Sequence, residues 1–164
     1  MINYIVIKKN SLSIFLIFVI FLLDRASKLI MINLANNAYE FNIRLSSFLN
    51  LNLIWNDGIA FGLFSFNKQI YYNSLTIIII LITVILIWLM VKSSGLEKIG
   101  FSMIIGGSIG NFSDRIYYSS VPDFIDFNFK GFHWFVFNVA DIFITIGILT
   151  LIIFEIFTKK ENEK

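Results

Sequence analysis

The chain has 164 residues, of which 57% are hydrophobic and 15% charged, and its formal net charge is +2. Its mean hydropathy of +0.80 excludes a water-soluble domain, in which about a quarter of residues are charged, and points to an integral membrane protein. The small charge gives no reason to expect a nucleic-acid partner, and the absence of cysteine excludes a disulfide frame, a thiol nucleophile and a thiolate metal site.

Residues 1–10 carry Lys8 and Lys9, and Leu12 to Leu23 is apolar apart from Ser13. A basic start and a short apolar run suit a signal peptide. Here the run meets Asp24-Arg25 instead of a small-residue cleavage site, and apolar sequence resumes at Leu29. A first span over about 12–31 is therefore expected, since roughly 20 residues cross a bilayer core. Asn33 to Lys68 is more polar; within it Leu49 to Leu53 alternates with period two, a strand with one wet face. Asn56-Asp57-Gly58 is a turn signal. A small surface sheet is expected within 43–62.

Residues 74–91 hold no charge and form the clearest span. A third is expected over 99–118, where Ser102, Gly106 and Gly110 recur every four residues, a spacing that lets helix backbones approach closely in lipid. Phe127 to Lys130 alternates again, placing further sheet within 119–137. A fourth span, interrupted by Asp141, is expected over 135–157. Lys8, Lys9, Lys92, Lys98, Lys159, Lys160 and Lys164 fall on one side, and Arg44, Lys68 and Lys130 on the other. By the positive-inside rule both termini are cytoplasmic. The expected fold is an all-α membrane protein, a single unit of four transmembrane helices with a small extracytoplasmic β-sheet.

That topology brings Asp123 and Asp141 to the same outer boundary. Carboxylates at membrane depth are costly and mark working sites by default. Two held close do not both ionise easily, so one keeps a proton while the other stays charged. The charged member can take a proton from water and the protonated one can give a proton to a leaving amine. The plainer alternative makes Asp123 a wet loop residue and Asp141 a helix cap. Asn111, Asp114 and Arg115 share a helix face, where Arg115 can pair with a carboxylate of another span or belong to a structural network. Asp24 and Lys28, one helical turn apart, suit an ion pair at a boundary. Asn138 precedes Asp141 by three residues. The single histidine, His133, lies among aromatics and reads as an interfacial residue; alone, it argues against a zinc site. A small transporter using the aspartates as a proton or cation relay, or an assembly factor without catalysis, remains open on these grounds.

Five segments together resemble the lipoprotein signal peptidases (signal peptidase II). Asp24-Arg25-Ala26-Ser27-Lys28 matches Asp-x-x-x-Lys, and Asn56 to Gly62 matches Asn-x-Gly-x-Ala-Phe-Gly. Gly106 to Arg115 matches Gly-Gly-x-x-Gly-Asn-x-x-Asp-Arg, Val121 to Phe124 matches Val-x-Asp-Phe, and Phe137 to Asp141 matches Phe-Asn-x-Ala-Asp. The resemblance implies that Asp123 and Asp141 are catalytic. It implies that Asp24, Lys28, Asn56, Asn111, Asp114, Arg115, Asn138 and Ala140 support the site or touch substrate. It further implies a bacterial inner-membrane enzyme acting without metal or cofactor on diacylglyceryl-modified prolipoproteins within membrane lipid, as a monomer. The 43–62 sheet is then expected as a platform and the 119–137 segment as a closing loop. One departure is Ser119, where the family usually has glycine.

Overall fold

The computed structural model describes residues 2–38, 41–57, 68–129 and 132–162. It contains four long helices and one four-stranded sheet among them, in the order α1 (Ile2–Asn36), β1 (Ile43–Arg44), β2 (Leu49–Asn56), α2 (Lys68–Lys92), α3 (Gly95–Tyr118), β3 (Val121–Phe129), β4 (Phe132–Phe137) and α4 (Val139–Asn162). Gly58 to Gly62, the second half of one motif, lies outside the described residues.

Among the described residues, two helices, over Asn73–Lys92 and Val139–Thr158, are long and apolar enough to cross a membrane by length and composition. Large apolar side chains point outward on α1, α2 and α4, among them Phe15, Phe18, Leu81, Trp88, Leu149 and Ile153. The buried interior is small by contrast: Met90, Phe101 and Ile105 form its centre, flanked by Ile17, Leu86 and Leu151. An apolar exterior around a partly polar interior suits lipid as solvent.

Helix α3 packs against α1, α2 and α4. The small-residue stripe explains how. A Cβ at Gly107 would lie 2.5 Å from the Ala140 carbonyl oxygen, and one at Gly110 would lie 2.5 Å from Asp24 Oδ2. Only glycine lets α4 and α1 come this close, and both contacts fall at the polar cluster described below.

The sheet is antiparallel throughout, in the order β1-β2-β3-β4. The central strand β3 is buried at Val121, Phe124 and Asp126. Pro122 is tolerated inside it because β4 pairs only from Ile125 onward, leaving the missing N–H without a strand to serve on that side. An irregularity between Leu51 and Ile54 sets Ile54 opposite Asp123 and Asn56 opposite Val121. Asn56 is thereby a diagonal neighbour of Asp123.

Two expectations are corrected. The fourth helix begins at Val139, not at 135: Phe135 and Phe137 are strand residues paired with Phe127 and Ile125. Hydropathy runs unbroken across the junction, so it does not separate an apolar strand from the helix after it. Within 119–137, the described residues Val121–Phe129 and Phe132–Phe137 are paired strands of the sheet, not a closing loop.

Ser119 ends α3 in the left-handed region, with φ 57° and ψ 18°. A Cβ there costs about 1 kcal/mol or more, which glycine avoids. Ser119→Gly is expected to raise stability by about 1 kcal/mol, read as a higher midpoint of thermal unfolding in detergent; a lower midpoint would show that the turn draws more from the serine side chain than it loses in strain.

Candidate active site

The polar residues converge in two connected layers. The deeper one joins α1, α3 and α4. Asp24 and Lys28 form the ion pair their spacing suggests, and both are 0% exposed. Lys28 Nζ donates to Asp24 Oδ2 at 2.9 Å, Asn111 Oδ1 at 2.8 Å and Asp114 Oδ2 at 2.6 Å. Three acceptors use all three ammonium protons. Arg25 Nη2 adds ion pairs to Asp114 Oδ1 at 2.5 Å and to Asp24 Oδ2 at 3.1 Å. The Ala140 backbone N–H donates to Asp24 Oδ1 at 3.0 Å, which ties α4 to α1.

The outer layer holds Asp123 and Asp141. Asp123 is 4% exposed. Its Oδ1 accepts from Asn138 Nδ2 at 2.6 Å and its Oδ2 from Asn56 Nδ2 at 2.9 Å. Asp141 stands in the first turn of α4. Its Oδ1 accepts from Asn111 Nδ2 at 2.8 Å, and its Oδ2 from the Asn138 backbone N–H at 3.2 Å. In return the Asp141 N–H donates to Asn138 Oδ1 at 3.1 Å. Asn138 and Asp141 thus form a reciprocal cap on α4. Asp141 thus takes the helix-cap position that the plainer alternative gave it. Asn138 touches both aspartates, its oxygen turned to Asp141 and its nitrogen to Asp123.

Asn111 joins the layers. Lys28 can only donate, so it claims Asn111 Oδ1 and leaves Nδ2 for Asp141. Beside Asp141 opens a cavity of about 790 Å³ between the sheet and α4, walled by Phe48, Phe127, Phe137, Ile142 and Ile146.

A family model described as Signal peptidase (SPase) II matches residues 16–157. The chain belongs to the signal peptidase II family. Among its relatives, the lipoprotein signal peptidase of Pelagibacter ubique (strain HTCC1062) is 52% identical, with 99% of each chain covered. That of Francisella tularensis subsp. novicida (strain U112) is 39% identical, covering 88% of this chain and 94% of the relative. A bacterial membrane enzyme solved by the in meso method has a TM-score of 0.75 at 28% identity, over 94% of this chain and 92% of that one. A second such structure has a TM-score of 0.71 at 30% identity, over 87% and 91%.

In this chain, the expected residues Asp24, Lys28, Asn111, Asp114 and Ala140 meet in the deeper layer, while Asn56, Asp123, Asn138 and Asp141 meet in the outer one. Arg115 Nη1 donates to the Asn111 carbonyl oxygen at 3.4 Å, and Arg25 bridges Asp114 and Asp24. Charge balance is the signal that points to Arg25: Asp24 and Asp114 need two cations, and Lys28 supplies one. His133 also gains a partner, its Nδ1 lying 2.7 Å from Asp126 Oδ2 with the imidazole 55% exposed.

Burial raises the Asp123 carboxyl from its ordinary 3.8 to about 6; the donors Asn56 and Asn138 pull against this, and the charge of Asp141 adds to it. Between pH about 4 and 6 the native protein holds a proton here that the unfolded chain has lost. Stability drawn from this group is therefore full below 3.8 and is lost as pH rises through about 6. Across that window the thermal midpoint of the wild type is expected to fall relative to that of Asp123→Asn, measured in detergent; parallel profiles would remove the raised carboxyl.

Proposed function

We propose that this chain is an aspartic endopeptidase of the bacterial inner membrane, removing signal peptides from prolipoproteins at the diacylglyceryl-modified cysteine. The observation that carries the reading is Asn138, hydrogen-bonded to both Asp123 and Asp141. It supports a dyad of unlike members. Asp141 lies at a helix N-terminus, where a negative charge is favoured. Asp123 is the more deeply buried and holds the proton in this reading.

The chemistry follows from that asymmetry. The Asp141 carboxylate takes a proton from a water molecule as the water oxygen bonds to the scissile carbonyl carbon. Asp123 gives its proton to the amide nitrogen as the C–N bond breaks, releasing an acid and an amine. One proton then passes from Asp141 to Asp123, restoring the starting state. Asn56, Asn111 and Asn138 donate but do not exchange protons under these conditions, so they hold the carboxylates without competing as acids or bases.

Four spans are part of the proposal, formed by α1 to α4, with both termini cytoplasmic on the lysine and arginine asymmetry and the sheet on the outer face. A substrate with an apolar signal helix and two acyl chains then lies in membrane lipid beside the cavity, its scissile bond at the depth of the dyad. The enzyme acts as a monomer in this reading, since both aspartates come from one chain.

Asp123→Asn and Asp141→Asn are each expected to lower turnover of a purified lipidated precursor by at least about a hundredfold while the variants still insert and fold. Substantial cleavage by either would defeat the dyad. For the wild type, kcat/KM is expected to decline as pH rises through about 6, the value of the free enzyme's acid; a profile flat from pH about 5 to 8 would take that role from Asp123.

A further inference from the structure

The cavity beside Asp141 is walled by seven apolar residues and three polar ones, Asn128, Asp141 and Thr145. Asp141 is accounted for by the dyad. Asn128 is not. Its Nδ2 is buried and has no hydrogen-bond partner among the described residues. Such groups are rare, because an unsatisfied buried donor forfeits its hydration with nothing in return.

The position of Asn128 is firmly set. Its backbone N–H donates to the Phe48 carbonyl oxygen at 3.0 Å. Phe48 stacks on Phe127, with ring centroids 6.2 Å apart and planes within 8°. Phe127 in turn stacks on Phe137 at 5.7 Å and 17°. Adjacent residues of a regular strand point to opposite faces. Phe127 and Asn128 nevertheless both line the cavity, and the β3–β4 register slips between them: Phe127 faces Phe135, while Asn128 faces His133. A bulge of this kind re-aims side chains, and bulges gather at working sites.

We infer that Asn128 is a substrate-recognition residue whose side-chain amide donates to a carbonyl oxygen of the chain bound in this cavity. The inference rests on the peptidase reading and deepens it. A carbonyl is the fitting partner because most of the cavity wall is apolar and the unmet group is a donor; a carboxylate ligand would face Asp141. The torsion that turns an asparagine amide is soft, so the donor can swing to meet an acceptor bound in the cavity. A lipidated precursor offers carbonyls of two kinds, the esters of its diacylglyceryl group and the amides of its signal peptide.

The test uses the full-length enzyme in detergent with two precursors of one peptide sequence, one carrying diacylglyceryl ester chains and the other dialkyl ether chains. Asn128→Leu is expected to raise KM for the ester substrate about 3- to 10-fold, the worth of one neutral hydrogen bond, with kcat little changed. Its thermal midpoint should match or exceed that of the wild type, because the variant removes an unmet donor. An increase confined to the ester substrate assigns the ester carbonyl, and an equal increase with both assigns the peptide carbonyl. Unchanged KM for both, in an enzyme whose wild type cleaves and whose Asp123→Asn form does not, overturns the inference and leaves the peptidase reading intact. A wild type that cleaves neither precursor overturns the reading itself. A lowered midpoint with unchanged KM makes Asn128 structural and also overturns the inference. Should Asn128→Leu not fold, the same-shaped pair Asn128→Thr and Asn128→Val carries the test: threonine keeps a donor and should bind the ester substrate more tightly than valine, and equal KM values would overturn the inference.

Discussion

A fully buried ammonium group organises the interior of this protein. Lys28 contributes a charge that in isolation would be prohibitive away from water. It persists because Asp24, Asn111 and Asp114 take its three protons and because Arg25 completes the charge balance. Breaking such a cluster by removing one partner typically costs about 3–5 kcal/mol. The consequence is orientation as much as stability. Since Lys28 accepts nothing, the Asn111 amide has one permitted direction, and that direction presents its nitrogen to Asp141. The Ala140 N–H on Asp24 adds a second constraint, fixing the first turn of α4 against α1. The glycines at 107 and 110 are the spatial condition for both, since a side chain at either would push these helices apart.

The outer layer repeats this logic with asparagines. Each presents an acceptor and a donor on one rigid plane, so committing the oxygen commits the nitrogen. Asn138 spends its oxygen on the cap of α4 and thereby aims its nitrogen at Asp123. Asn111 spends its oxygen on Lys28 and aims its nitrogen at Asp141. Both carboxyl groups are thus met by donors whose directions were settled elsewhere, a preorganised arrangement that needs no rearrangement when charge shifts between them. Burial nevertheless prevails over the donors at Asp123, whose carboxyl stands near 6. The same burial that raises this carboxyl draws on the stability of the fold above that value.

Much of this was legible in the sequence, for identifiable reasons. Long apolar runs announced α2 and α4, and period-two alternation announced β2. Five motifs in order carried the resemblance to the family, and most of their described polar residues meet in the two layers. What stayed hidden has physical causes. The strand–helix boundary at Asn138 lies within one apolar stretch, so only the cap marks it. Arg25 looked like an interruption of a helix until its acids were placed around it. Asp126 and His133 are seven residues apart and meet only because a hairpin folds them together. Asn128 carried no signal at all, since an unmet hydrogen bond is a property of the fold and not of residue order.

Asp123 and Asp141 span a junction between two kinds of scaffold, the first on a strand and the second on a helix. Such a junction is held only as well as its ends. The β3–β4 hairpin leaves α3 through the left-handed turn at Ser119 and enters α4 through the reciprocal cap at Asn138. Each aspartate lies within five residues of one of these helix ends, Asp123 after Tyr118 and Asp141 before the second turn of α4. A shift of the sheet against the helices would therefore first stretch the Asn138–Asp123 bond, the shortest hydrogen bond in the outer layer at 2.6 Å. The helices hold one carboxyl group, the sheet carries the other to it, and the asparagine at their meeting point bonds to both.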